Sequence, residues 1–106
     1  NTLAISKLMP HFDNDAKSVQ KVLEKRDFGR RIIKWSYPYE YFLDQNSANM
    51  KIFKYLQKQL EIEMEKLCFY IWSEYRTRKK IENAVRKVDL TVNSLLKHAD
   101  EDRMYS

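Results

Sequence analysis

The sequence predicts an all-α protein, a small antiparallel bundle of three long helices with a short helix ahead of them. Three observations carry that expectation. A long segment, about residues 49–75, places Phe53, Leu56, Leu60, Met64, Leu67 and Ile71 at spacings of three and four, on one stripe of a helix. Near the C-terminus Ile81, Val85, Val88, Val92 and Leu95 repeat that spacing. One Gly and two Pro in 106 residues leave too few turn residues for a sheet protein.

The opening residues, 1–11, carry Leu3, Ala4, Ile5, Leu8 and Met9. They read either as a short helix capped by Thr2 and ended before Pro10, or as part of a ragged end covering 1–13. Asp13, Asn14 and Asp15 then supply acceptors and negative charge where the next helix should start.

That helix is expected over about 14–43, with Ala16, Val19, Leu23, Phe28, Ile32 and Trp35 as a drifting apolar stripe. Gly29 weakens its middle by about 1 kcal/mol relative to Ala and leaves room for a neighbouring helix to come close. Pro38 removes a backbone hydrogen bond and crowds the preceding turn. The aromatic residues around it favour a kinked helix that continues to Leu43, with Trp35, Tyr37 and Pro38 packed in the core.

Asp44, Gln45, Asn46 and Ser47 form a polar turn, short enough to set the flanking helices antiparallel. Asn46 or Ser47 is the expected cap of the long helix. On that helix Lys51, Lys54, Lys58, Glu61, Glu65 and Lys66 fill the face opposite the apolar stripe. A break near Tyr75, Arg76 and Thr77, with Thr77 as cap, precedes the last helix, which is expected to end around His98 before a frayed tail, 99–106.

At 106 residues the chain is read as a single domain, 1–106. Cys68 alone allows neither an internal disulfide nor a Cys-based zinc site, and its place beside the apolar stripe reads as a buried structural thiol. No apolar run approaches the roughly eighteen residues a membrane span needs, and no signal-peptide pattern opens the chain. The expectation is a soluble protein of the cytoplasm or nucleus. Net charge is only +5. Basic residues gather at Arg26, Arg30, Arg31 and Lys34, and again at Arg76, Arg78, Lys79 and Lys80, which read first as solvated helix faces and second as phosphate contacts.

No catalytic constellation is present. His11 and His98 lie far apart without metal-ligand spacing and read as surface residues; no Gly-rich phosphate loop occurs, and neither Ser nor Cys sits beside a base. Glu61, Glu63 and Glu65 cluster on the long helix, Glu61 and Glu65 sharing a face. They read as solvated acids balanced by Lys58 and Lys66, available as a docking surface. No metal or cofactor site is assigned.

The run Trp35-Ser36-Tyr37-Pro38-Tyr39-Glu40-Tyr41-Phe42-Leu43, followed by Ile52-Phe53-Lys54-Tyr55-Leu56-Gln57-Lys58-Gln59-Leu60-Glu61, resembles the Ariadne domain of RING-between-RING ubiquitin ligases. Family members carry a similar aromatic run ending one helix, then a short polar turn, then a Phe and a Gln-x-x-Leu-Glu stretch opening the next. The resemblance spans roughly residues 22–102, most of such a domain, and is clearest over 35–67.

It implies a regulatory module that folds over the second RING of the full ligase and covers its ubiquitin-accepting cysteine. Docking to a neddylated cullin-RING complex relieves that block. It further implies that the intact protein is a transferase whose zinc lies in RING modules outside this chain. An inhibitory acid of the family falls on Glu65, and Glu61 matches another; a third, just after the Phe, is Lys54 here. The expected partners are thus the protein's own catalytic RING and a neddylated cullin-RING ligase. The alternatives are a basic nucleic-acid-binding bundle, which is disfavoured, and a coiled-coil dimer through the Phe53–Ile71 stripe.

Overall fold

The computed structural model describes residues 2–43, 47–73 and 77–105. The chain forms α1 (Thr2–Leu8), a 3-10 turn (Met9–Phe12), α2 (Ala16–Glu40), α3 (Ala48–Trp72) and α4 (Arg78–Tyr105), with no strand among the described residues. This is the expected all-α bundle of three long helices and a short first one. Tyr37 bonds to Glu61, Ser36 to Gln57 and Arg30 to Cys68, so α3 rises in number as α2 falls and the two are antiparallel. Lys25–Asp89 (3.2 Å) and the Tyr39 hydroxyl on the Ala99 carbonyl (3.0 Å) set α2 and α4 parallel. The molecule is a rod of 48 × 21 × 18 Å, its length set by α4, whose 28 residues run about 42 Å.

The α3 stripe is the inside of the rod. Phe53, Leu60, Leu67 and Ile71 are all but sealed from solvent, Met64 is buried, and Leu56 packs half-buried at the edge. Ile81, Val88, Val92 and Leu95 of α4 meet them, with Val85 half-buried. The Phe53–Ile71 stripe is therefore covered within one chain, which leaves no seam there for a coiled-coil dimer.

Local chemistry places the helix ends. The Asp15 carboxylate accepts from Lys17 N (3.1 Å) and Ser18 Oγ (2.8 Å), capping α2. Just before it Asp13 (φ 53°) and Asn14 (φ 57°) take left-handed backbone, which short polar side chains tolerate, and swing the chain from the 3-10 turn into α2. Ser47 Oγ accepts from Met50 N (3.1 Å) and Thr77 Oγ1 from Lys80 N (3.2 Å), so both expected caps are in place. Asp44, Gln45, Asn46, Tyr75 and Arg76 lie outside the described residues.

Four expectations are corrected. Residues 2–13 are not a ragged end: Ala4, Leu8 and Phe12 are buried core, and α1 packs on α3 and α2, with Thr2 as its first residue rather than its cap. Helix α2 passes through Pro38 but stops at Glu40. Beyond it Tyr41, Phe42 and Leu43 donate to carbonyls three residues back, a tightened turn in place of a helix continuing to Leu43. Tyr37 and Pro38 are exposed rather than core, and Tyr41 (85%) and Phe42 (84%) are nearly bare. The aromatic packing comes instead from Trp35 and Tyr39, one turn apart, stacked at 4.6 Å and both set against Phe53. Finally, α4 does not fray at His98 but runs to Tyr105, because Ala99 is buried and its carbonyl is held by Tyr39.

The α2 stripe is also drawn differently from expectation. Val19, Leu23 and Ile32 are buried and Trp35 half-buried, whereas Ala16 and Phe28 face water. Val22, Arg26, Gly29 and Ser36 complete the inner face. Arg26 keeps its charge partnered by Asp27 (3.1 Å).

Gly29 allows the close approach its size suggested: a Cβ there would lie 2.5 Å from Met64 Sδ and 3.3 Å from Val88 Cγ1. Gly29→Ala should therefore cost about 1–3 kcal/mol of overpacking, more than the ~1 kcal/mol gained in helix propensity, and lower the urea midpoint. The Ser18 hydroxyl bonded to Asp15 holds that carboxyl below its usual range, helped by the backbone amides of Lys17 and Ser18. A lowered native pKa favours folding above the unfolded value of about 3.9 and loses that effect as pH falls through the native value. The thermal midpoint of the parent should exceed that of Asp15→Ala at neutral pH, and the gap should narrow on acidification.

Candidate partner-binding surface

Helix α3 distributes its three central acids to three environments, because successive residues step about 100° around a helix. Glu63 turns inward and is buried. Its Oε2 accepts from Thr91 Oγ1 of α4 (2.6 Å) and its Oε1 from Gln59 (3.1 Å), so it is not the solvated acid that was expected. Glu61 is half-buried toward α2, where it accepts the Tyr37 hydroxyl, with Lys58 Nζ 3.9 Å away. Glu65, one turn on, is exposed and has no hydrogen-bond or ion partner among the described residues.

Glu61 and Glu65 meet in a groove of about 310 Å³ between α2 and α3, lined also by Arg30, Ile33, Met64 and Cys68. The structure thus brings the two expected acids together and adds a cation opposite them. Arg30 Nη2 donates to Cys68 Sγ (3.5 Å), which makes Cys68 half-buried at a groove wall rather than sealed in the core. Around Glu65, Ile62 and Phe69 lie three and four residues away on the outer face, and Phe69 is 63% exposed. Glu65 thus stands unpaired among exposed apolar side chains.

Tyr37 and Arg30 were not picked out from the sequence as parts of this surface. Tyr37 is 24 residues from Glu61 and Arg30 is 38 from Cys68, so no local pattern announces either contact. Lys54, which stands where the resembled family has an acid, reaches Glu40 of α2 (3.5 Å) and becomes an interhelix tie. His11 and His98 are half-buried rather than on the surface.

Three members of the two basic groups are already engaged or buried. Arg26 is buried, Arg30 points to Cys68, and Arg78 is engaged by Glu82 (2.6 Å) and Asp13 (3.4 Å). Among the described residues there is no group of three or more His, Cys, Asp or Glu able to hold a metal, and no helix long and apolar enough to cross a membrane.

Fold and surface together define a helical bundle whose outer face presents an acid set among apolar groups. No family model, curated protein or solved structure matches the chain.

Thr91→Val keeps the shape of the side chain but strips the buried Glu63 carboxylate of its shortest donor. It should cost about 1–3 kcal/mol in chemical denaturation, whereas Glu65→Gln on the open side of α3 should stay within about 0.5 kcal/mol of the parent.

Proposed function

We propose that this chain is the regulatory, protein-binding module of an Ariadne-type RING-between-RING ubiquitin ligase. In this reading it packs on the catalytic second RING and holds it inactive until a partner such as a neddylated cullin-RING complex draws it away. The chain itself carries no catalytic role; ubiquitin transfer, and the zinc that supports it, belong to the RING modules of the whole protein.

One observation carries the reading. The two stretches that bear the family resemblance lie side by side as the end of α2 and the start of α3, tied by the Tyr37–Glu61 hydrogen bond, and Glu65 stands exposed one turn beyond. Glu61 is a positioning residue here, spent on α2. Glu65 is the contact residue, with open coordination for a hydrogen-bond donor on the RING. The exposed Ile62 and Phe69 beside it supply apolar area for the same interface.

In the intact ligase, Glu65→Ala should raise basal ubiquitin discharge by about fivefold or more, the range expected when one contact of a two-state closure is lost. Tyr37→Phe should raise it less, since it only loosens Glu61. Unchanged basal discharge by a Glu65→Ala ligase that remains folded would remove Glu65 from the mechanism.

A further inference from the structure

A second surface lies on the other side of α3, where it meets α4, and it owes nothing to the ligase reading. Lys66 of α3 and Lys80 and Lys87 of α4 line one cleft of about 190 Å³, with Tyr70, Asn83 and Ala84 in its walls and Glu63 at its floor. All three lysines are exposed, and none has an acidic partner among the described residues. Lys66, expected to balance the neighbouring acids of α3, balances none of them.

The groove between α2 and α4 also holds Lys21 and Arg86 without an acidic partner among the described residues, but Glu82 and Asp89 share it with them. There Arg78 is met by Glu82 and Asp13, and Asp89 by Lys25. In the α3–α4 cleft the one carboxylate, Glu63, already has both oxygens engaged by the neutral donors Thr91 and Gln59. Lys66, Lys80 and Lys87 thus give the cleft more positive than negative side chains, a lining that favours an anionic occupant.

Apolar surface borders the cleft on both helices. Phe69 stands three residues from Lys66 and makes an edge contact with the Tyr70 ring at 5.8 Å, and Leu90, 62% exposed, stands three residues from Lys87. The space is small, the Glu63 carboxylate is already taken up by Thr91 and Gln59, and the rim is apolar. Those features suit one acidic side chain with a greasy neighbour, not a continuous run of phosphates.

We propose that the α3–α4 cleft is a docking site for an acidic peptide segment of a partner protein. A carboxylate- or phosphate-bearing side chain sits among Lys66, Lys80 and Lys87, and an adjoining large apolar residue rests on Phe69 or Leu90.

The test is fluorescence anisotropy at low salt with the full chain and four labelled probes. These are a peptide with Asp-Glu pairs flanking a Leu, the same peptide with a central phosphoserine, its Asn-Gln counterpart, and a DNA oligonucleotide of matching charge. The acidic peptide should bind, the phosphorylated form at least as tightly, and the amide form at least tenfold more weakly. Binding should weaken as salt shortens the screening length from about 30 Å at 0.01 M to about 8 Å at 0.15 M. The double change Lys66→Glu with Lys87→Glu should weaken the peptide at least tenfold, while Lys34→Glu on α2 should not. Circular dichroism checks that the variants fold, and Lys66→Gln with Lys87→Gln replaces the reversal if it does not. The proposal is overturned if neither anionic peptide binds, if the amide peptide binds as well, or if the reversal changes nothing. It is equally overturned if the oligonucleotide binds as tightly and is lost by the same reversal.

Discussion

The structure depends on the burial of one helix on three sides. Helix α3 gives Met50, Phe53, Leu60, Met64, Leu67 and Ile71 to the interior, and α1, α2 and α4 exist as a fold because they cover that surface. An apolar seam alone would tolerate sliding, since one turn of displacement replaces one greasy side chain with another. Two buried polar residues, one facing α2 and the other facing α4, prevent it. Gln57 donates to Ser36 Oγ of α2 (2.9 Å), and Glu63 accepts from Thr91 of α4. A shift of α2 or α4 by one turn, about 5.4 Å, would strand one of these groups without a partner in a dry environment. The apolar stripe makes the bundle stable and the polar pairs fix its register.

The same division explains what could be read in advance. Periodicity is a property of a single helix, so the α3 and α4 stripes and the caps at Ser47 and Thr77 were legible. Where the outcome depends on a partner helix, the signal is absent from the local sequence. Tyr37, Pro38, Tyr41 and Phe42 look like core by composition, yet at that end it is Trp35 and Tyr39 that pack against Phe53 and Leu43 that is buried. Arg26 looks like surface by charge, yet it lies on the buried face between Val22 and Gly29, with Asp27 as its partner. Helix α4 outlasts its apolar repeat because a hydroxyl sixty residues earlier in the chain, on Tyr39, holds the Ala99 carbonyl.

The candidate surface was half legible for the same reason. Spacing alone puts Glu61 and Glu65 on one face of α3 and turns Glu63 away. It does not say that Tyr37 takes up Glu61 and leaves Glu65 as the free charge, nor that Lys66, Lys80 and Lys87 come together, because each of those facts joins two helices.

One helix thus carries two surfaces of opposite sign, an acidic groove toward α2 and a basic cleft toward α4. They are not independent. Phe69 lies four residues from Glu65 and three from Lys66, so its exposed ring borders both. A partner that covers Phe69 from the acidic side removes apolar rim from the basic side, and the converse holds. Because the inner face of α3 is locked by Gln57 and Glu63, the helix cannot roll to present the ring to two occupants at once. For the two proposed surfaces, competition for this one shared side chain is the coupling that the geometry offers.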